Sequence, residues 1–459
     1  MNRTVMLSDS QQSTDLGKLL IPSLGVETDY SSLCPYVSGS EDFEVLLKHP
    51  GVMREHQPIE VNGFSTHKVL SKALSMKERL EGSGIYSPNR PPYEAISSDH
   101  PLIISYPPEV IWLGKENGVD AWGENIKRVL PRMDYGFNER QIRAFSTLVQ
   151  SLVLNNPKTY GFWRAASSER FEGEAVTKIL LDWSIDNTIG ARGKWIAGLT
   201  PVIDASTPGS ATLSHRINEA CKALVDTRLE AGEEAPAYLY TINLNSSVIE
   251  ADRWTEALSE IVRNARIAME VPGYEGIYVS IRGLDMISTN NGRVNTLMRL
   301  MEELNSIARS AKLPTWWSRL GCVGLAALDL GTSFSSFTVN CNNGDVFHGG
   351  GPTDRKYRFG RIFNHVTRER WDVTQVMSSR GGPDSGLPPL NEYWSMNYPT
   401  QEMLQRDRMY RVDFSKPYNI AAMNHLMDDW LNNIRQGEVT PGREFLQNIE
   451  APYSSWGIR

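Results

Sequence analysis

Five strand-like stretches decide the fold: WIAGLTPVID (195–204), AYLYTINLN (237–245), GIYVSIRG (276–283), PTWWSRLG (314–321) and SFSSFTV (333–339). They are short and evenly spaced, and several of them are rich in β-branched and aromatic residues. Single segments with helical spacing separate them. Strands that alternate with helices predict βαβ units and a parallel sheet. Two architectures satisfy the pattern, a (β/α)8 barrel and an open doubly wound sheet.

The barrel is favoured because no glycine-rich dinucleotide-binding turn follows any of these strands. We therefore predict an α/β fold, a (β/α)8 TIM-like barrel over residues 101–365. Its earlier strands are expected between about 102 and 165, where LIISY (102–106) is a candidate and 138–154 has helical spacing. An irregular N-terminal extension is predicted over 1–100, and a C-terminal loop with a helical cover over 366–459.

The composition excludes several classes of protein. Of the 459 residues, 40% are hydrophobic and 22% are charged, which is typical of a folded protein and not of a disordered or fibrous one. The net charge of −7 excludes a generally basic nucleic-acid-binding surface but permits a local basic patch. Four scattered cysteines without a CxxC pair predict neither disulfides nor a zinc site, and no cofactor is expected. Without a signal-like N-terminus or a long apolar run, we expect a cytoplasmic protein without membrane contact.

Reactive groups of a barrel enzyme lie at the carboxyl ends of its strands. The residues found at those ends are Asp204, Asn243, Arg282, Ser318, Arg319 and Ser336. For each of them, a polar strand end without a catalytic role is the alternative interpretation. A carboxylate at Asp204 could act as an acid or base, or bind an amide edge, but it could equally be the N-cap of the next helix. Asn243 carries one acceptor and two donors, which suits the edge of a purine.

A second candidate region is FHGGGPTDRKYRFGRIF (347–363). Its glycines allow close backbone approach to a ligand. Its basic cluster consists of Arg355, Lys356, Arg358 and Arg361, and residues 352–380 hold seven Lys or Arg against three Asp or Glu. This local positive charge predicts contacts with the phosphates of a nucleic acid or nucleotide, the alternative being a solvated loop.

The order of these elements resembles the tRNA-guanine transglycosylase superfamily over about residues 200–363. GYEGIYVSIRGL (273–284), TWWSRLG (315–321), LAALDLGTSFSSF (325–337) and PTDRKYRFGRIF (352–363) are similar to four consecutive motifs of that family. By this resemblance Asp204 is the acid that recognises the base and Asn243 reads it. Gly283 and Leu284 line the pocket with backbone groups. Arg282 and Arg319 are expected to bind substrate because of their position at the strand ends, not because of the resemblance. Arg355, Lys356, Arg358 and Arg361 hold phosphates.

Three departures from the family pattern shape the hypothesis. Ser336 stands where the family has a nucleophilic aspartate, and a serine needs an activating base; Asp204, Asp285 and Asp329 are the carboxylates considered for that space. The family's zinc cluster and its appended tRNA-binding domain have no counterpart in the sequence. The resemblance therefore implies exchange of guanine for a 7-deazaguanine base in nucleic acid, in DNA rather than tRNA. The rivals are a barrel enzyme acting on a small phosphorylated substrate and a non-catalytic nucleic-acid-binding barrel; the sequence predicts no oligomeric state.

Overall fold

The structure is a computed structural model that describes residues 32–37, 42, 45–46, 52–54, 56–63, 100–106, 181–182, 184–206, 208–284, 291–321, 323–338, 362–364, 369–371 and 416–428. Its parallel strands are β1 Ser32–Val37, β2 Ile59–Asn62, β3 Leu102–Ser105, β4 Trp195–Ala197, β5 Val202–Ile203, β6 Ala237–Asn245, β7 Ile277–Arg282, β8 Thr315–Ser318 and β9 Phe334–Thr338. A separate antiparallel hairpin consists of β10 Ile362–Asn364 and β11 Glu369–Trp371.

The parallel strands close into an eight-stranded barrel, which confirms the predicted fold class. Closure occurs between β1 and β9, where Cys34 pairs with Ser336. β4 and β5 share one position in the barrel because both pair with β6. Gly198 lies in the interruption between them, where a Cβ atom would lie 2.5 Å from the hydroxyl of Tyr238. The predicted strand 195–204 is therefore two short strands in one line.

Helices cover the outside of the barrel between consecutive strands. They are α1 Ser210–Glu230 after β5, α2 Glu256–Glu270 after β6, α3 Asn291–Ser310 after β7 and α4 Val323–Asp329 after β8. α2 shows why such segments become helices: the Thr255 hydroxyl caps its first turn by accepting a hydrogen bond from the N–H of Leu258. Leu258, Ile261, Ala265 and Ala268 recur at helical spacing and are buried against the barrel.

The barrel begins earlier in the chain than predicted. β1 and β2 lie within residues 1–100, which were predicted to be an extension outside the barrel, while β3 coincides with the candidate strand at 102–106. The physical reason is that both early strands carry atypical residues. Pro35 within β1 has no N–H for a sheet hydrogen bond, and Glu60 places a charge in the middle of the four-residue strand β2. The predicted helix at 138–154 lies outside the described residues.

A helix over 416–428 packs beside the first strand and supplies the predicted C-terminal cover. The side-chain amide of Asn424 donates to the carbonyl of Val52, and the amide of Gln57 donates to the side-chain oxygen of Asn424. Lys416 and Asp42, both buried, form an ion pair at 2.7 Å. These contacts fasten the helix over 416–428 to the start of the barrel. Among the helices that the structure describes, none is long and apolar enough to cross a membrane.

Candidate active site

The interior of the barrel changes from apolar to polar toward the carboxyl ends of its strands. The apolar layer consists of Cys34, Ile103, Trp195, Ala197, Leu239, Tyr278, Trp316 and Phe334. Inward positions nearer the carboxyl ends hold buried polar side chains: Asn62, Ser105, Thr241, Asn243, Ser280, Ser318, Ser336 and Thr338. Since the carboxyl ends of parallel strands meet at one end of the barrel, this polar layer forms the floor of a single mouth.

Glu60 lies at the centre of this floor with no exposed surface. Its Oε1 atom accepts hydrogen bonds from the hydroxyls of Tyr278 and Ser318, both at 2.8 Å. Its Oε2 atom accepts from the indole N–H of Trp316 at 3.0 Å and from the hydroxyl of Ser336. Four donors thus compensate a carboxylate that has lost all contact with water. Burial and then the nearby Glu60 charge raise the pKa of Tyr278 well above 10, so this donor stays protonated.

Arg319 places a second charged group in the floor, and its side chain is also fully buried. Its Nε atom donates to the Ser318 hydroxyl at 3.3 Å, and its backbone N–H donates to the Ser336 hydroxyl at 2.8 Å. Its guanidinium lies 5.5 Å from the ring centroid of Tyr36. The two serine hydroxyls therefore connect a buried cationic residue with a buried carboxylate. Such an arrangement offsets part of the cost of removing both charges from water.

The backbone of Arg319 has φ 59°, in the left-handed region that a residue with a Cβ rarely adopts. This conformation costs on the order of 1–3 kcal/mol and persists where the surrounding contacts enforce it. Here it directs the N–H of Arg319 to Ser336 directly after β8 ends. Four other residues with side chains have a similar φ in the described chain, His56, Arg192, Asp252 and Lys312, so this conformation alone does not locate a site.

Ser336 lies inside β9, two residues before the strand ends, and is fully buried. Its hydroxyl donates its hydrogen to Glu60 and accepts one from Arg319, so one lone pair of the oxygen takes no hydrogen bond from either group. Because the hydroxyl has no exposed surface, a substrate reaches it only after the groups that cover it move. The carboxylate that reaches Ser336 is thus Glu60 on β2, a residue that the sequence reasoning missed. Its signal was an acid between Ile59 and Val61 in a short strand. Asp285 and the side chain of Asp329 lie outside the described residues.

Asp204 follows β5 at the same end of the barrel and is buried. Its Oδ1 atom accepts hydrogen bonds from the backbone N–H and the hydroxyl of Ser206, at 2.8 and 2.7 Å. The carboxylate therefore closes a short turn. The alternative interpretation of Asp204 as a helix N-cap is wrong, because the N-cap of α1 is Gly209.

Asn243 points into the barrel from β6, with its amide held by neighbouring strands. Both amide hydrogens go to Thr200, with Nδ2 2.9 Å from the hydroxyl and 3.2 Å from the carbonyl oxygen. The amide oxygen accepts from Ser280 at 2.5 Å. A carbonyl oxygen has two acceptor positions, so one remains beyond the contact with Ser280. Asn243 is thus fixed in one orientation, and the group it can offer to a ligand in this arrangement is an acceptor.

At the end of β7, Arg282 is partly exposed and pairs in register with Asn245 of β6. Gly283 then turns the chain with φ 75°. The side chain of Leu284 is buried in the main hydrophobic core. The predicted contribution of Gly283 and Leu284 to a pocket, which concerns their backbone groups, stays a prediction. The basic cluster Arg355, Lys356, Arg358 and Arg361 lies outside the described residues, just before β10.

In the described parts of the chain, no group of three or more His, Cys, Asp or Glu residues could hold a metal ion. Cys34 and Cys221 are buried free thiols, and burial raises the pKa of Cys221 to about 12. Comparison with models of known protein families matched none of them, and comparison with curated proteins found no match. The mouth is therefore interpreted from its own residues.

Proposed function

We propose that the mouth is the active site of a base-exchange enzyme that replaces guanine in a nucleic acid, DNA rather than tRNA, by a 7-deazaguanine base. The observation that carries the proposal is the hydrogen bond from Ser336 to the buried carboxylate of Glu60. The resemblance in sequence puts Ser336 where a nucleophile is expected. A hydroxyl becomes an effective nucleophile when a base accepts its hydrogen, and Glu60 is such a base.

In the proposed first step, the Ser336 oxygen attacks C1′ of the target nucleoside while its hydrogen passes to Glu60. The C1′–N9 bond breaks, and the departing guanine takes the electron pair and a proton from water. In the second step the incoming base loses its N9 proton to water and attacks C1′. Ser336 leaves and recovers its hydrogen from Glu60. The carboxylate thus acts first as general base and then as general acid.

Asp204 and Asn243 are proposed to recognise the base. The N–H groups of a guanine-like base need acceptors, and both a carboxylate oxygen of Asp204 and the amide oxygen of Asn243 supply them. The hydrogen bonds from Ser206 to Asp204 and from Thr200 and Ser280 around Asn243 hold these two acceptors in place before a ligand arrives. Arg282 and Arg319 are proposed to contact the substrate beside them.

A nucleic-acid substrate also has to present its base outside the stack, which requires a grip on the neighbouring phosphates. The basic cluster from Arg355 to Arg361 is the proposed grip on the backbone. The preference for DNA is carried over from the sequence resemblance and its departures from the family pattern, and the assay below tests it against tRNA. The proposal includes no metal and no cofactor, because base exchange at C1′ needs neither an oxidant nor an activated donor.

The proposal is tested by mass analysis of the nucleosides in DNA from cells with and without the protein. We expect a 7-deazaguanine nucleoside only in the presence of the protein, and its loss with Ser336→Ala. The cells are supplied with a 7-deazaguanine base, so that the lack of a precursor cannot explain unmodified DNA. If tRNA is modified and DNA is not, the proposed base exchange stands and its substrate is tRNA. Unmodified DNA and tRNA under these conditions would contradict the proposal.

A non-catalytic nucleic-acid-binding barrel is the second candidate. The observation that favours it is that Glu60 already accepts four hydrogen bonds, as expected of a residue with a structural role in the barrel. On this interpretation the protein binds nucleic acid, and Ser336→Ala leaves that binding unchanged while no base is exchanged by any variant. The wild-type exchange assay separates the two candidates.

A further inference from the structure

A cleft of about 310 Å³ lies between α2 and α3 on the outside of the barrel. We call it the arginine groove, after Arg263 and Arg266 on α2 and Arg299 on α3, which line it together with Trp254. All three arginines are exposed, and the guanidinium of Arg299 lies 4.4 Å from the ring centroid of Trp254. Three guanidiniums and an indole in one cleft stand out on a chain whose net charge is −7.

The arginines of this groove form few direct ion pairs, although glutamates lie near them. Within the described part of the chain, neither Arg266 nor Arg299 forms an ion pair, and Arg263 approaches Glu260 only at 3.9 Å. Glu270 and Glu303 line the same cleft without pairing to any of them. Arginines without carboxylate partners have donors in reserve, and their planar fork fits phosphate oxygens.

The groove starts at the end of the barrel where the mouth opens. α2 follows the carboxyl end of β6, and α3 follows that of β7, so both helices begin at the mouth and run back along the barrel. Trp254 directly precedes the N-cap residue Thr255 and therefore lies at the mouth end. Arg263 and Arg266 follow on α2, roughly 12–17 Å along the helix from Thr255 at 1.5 Å per residue. The final residue of α2, Glu270, marks the opposite end of the groove.

We infer that the arginine groove binds the sugar–phosphate backbone of a nucleic-acid strand that extends from the mouth. The inference rests on the proposed function, because it assigns a path to that function's substrate. Arg263, Arg266 and Arg299 contact phosphates, and the face of Trp254 stacks on a base near the mouth after the guanidinium of Arg299 turns to a phosphate. Stacking on an aromatic face is sequence-tolerant, which suits contacts beside a target base.

The test is the binding of a fluorescent single-stranded DNA to the full chain at several salt concentrations. In the groove variant Arg263→Gln, Arg266→Gln and Arg299→Gln are combined, which removes three charges and keeps most of each side chain. Removal of each phosphate-binding charge lowers the log–log salt slope by about 0.7, so the slope falls by about 2. Affinity at low salt falls at least about tenfold, while the melting temperature stays within a degree or so because the three side chains are exposed.

A control variant loses the same charge at exposed positions outside the groove, through Arg216→Gln, Arg309→Gln and Lys312→Gln. It reports how far the change in net charge alone weakens binding. Equal salt slopes in the control and groove variants overturn the inference. Base exchange by the wild-type protein is measured in parallel. If the wild-type protein binds DNA and exchanges bases, and the groove variant binds DNA equally well, the inferred role of the arginine groove is wrong and the proposed function stands. A wild-type protein that neither binds nor exchanges overturns both proposals.

Discussion

Ser336 donates its hydroxyl hydrogen to Glu60 although 276 positions separate the two residues along the chain. Closure of the barrel brings them together, because β9 pairs with β1 and β1 pairs with β2. The contact joins the last strand of the barrel to its second strand, and the Ser318 hydroxyl makes the same contact from β8. Two serines thus hold one carboxylate, and only one of them is proposed to react.

Ser318→Ala and Ser336→Ala form a matched pair that separates structure from catalysis. Each removes one donor to Glu60 and one acceptor from Arg319, so each should lower the free energy of unfolding by about 1–3 kcal/mol. Base exchange should fall at least about a hundredfold in Ser336→Ala and by less than about tenfold in Ser318→Ala. Urea unfolding and turnover on DNA are the two measurements. Equal turnover in the two variants would remove Ser336 from catalysis.

Asp204→Asn tests recognition of the base. The variant keeps the size of the side chain and an oxygen for Ser206, but it replaces the second acceptor with a donor that would face a donor of the base. A buried donor without an acceptor costs about 1–3 kcal/mol of binding free energy, so affinity for a 7-deazaguanine should fall about tenfold or more. The melting temperature should change little. Calorimetric titration with the free base measures the affinity, and wild-type affinity in this variant would exclude Asp204 from the site.

The basic segment is tested by changing Arg355, Lys356 and Arg358 to Ala. For each phosphate that the variant no longer binds, the log–log salt slope of duplex DNA binding should fall by about 0.9. Titrations at several salt concentrations give the slope, and the control variant of the arginine groove serves as reference. An unchanged slope would return this segment to the interpretation as a solvated loop.

The protein should lose stability at alkaline pH. Burial raises the pKa of Cys221 to about 12 and those of Tyr238, Tyr240 and Tyr278 well above 10. These groups hold their protons more tightly in the folded protein than in the unfolded chain. Their contribution to the free energy of unfolding is therefore fully present below the pKa values of the unfolded chain, 9.0 for cysteine and 10.0 for tyrosine, and is lost as the pH rises above them. Between its unfolded and its folded pKa, each group lowers the free energy of unfolding by about 1.4 kcal/mol per pH unit. Urea unfolding at about pH 8 and about pH 11 measures the effect; equal free energies would contradict it.

Much of the barrel could be predicted from the sequence because the pattern of β6, β7, β8 and β9 is regular. Each of these strands follows a helical segment and carries a turn signal, such as Gly283 with its positive φ. β1 and β2 could not be found in the same way. Pro35 in β1 weakens the strand pattern, and β2 is four residues long with a charge at its centre.

The candidate site was predicted only in part for a related reason. Strand ends are visible in a sequence, and they gave Asp204, Asn243 and Arg282. Glu60 is not a strand end, and its importance comes from the donors that four side chains on three other strands direct at it. Such convergence depends on the register and closure of the barrel, which no local pattern encodes. The left-handed backbone of Arg319 is likewise a consequence of the assembled mouth.

The most direct test of the central claim is the incorporation of isotopically labelled guanine into nucleic acid by the purified protein. The account predicts that label enters DNA faster than tRNA with the wild-type protein. It predicts that Glu60→Gln abolishes incorporation, since the amide cannot accept the Ser336 hydrogen as a base. A Glu60→Gln protein shown by its circular dichroism to be folded makes the comparison valid. A folded wild-type protein that incorporates no label into either nucleic acid, or a folded Glu60→Gln protein that does so at the wild-type rate, would contradict the account.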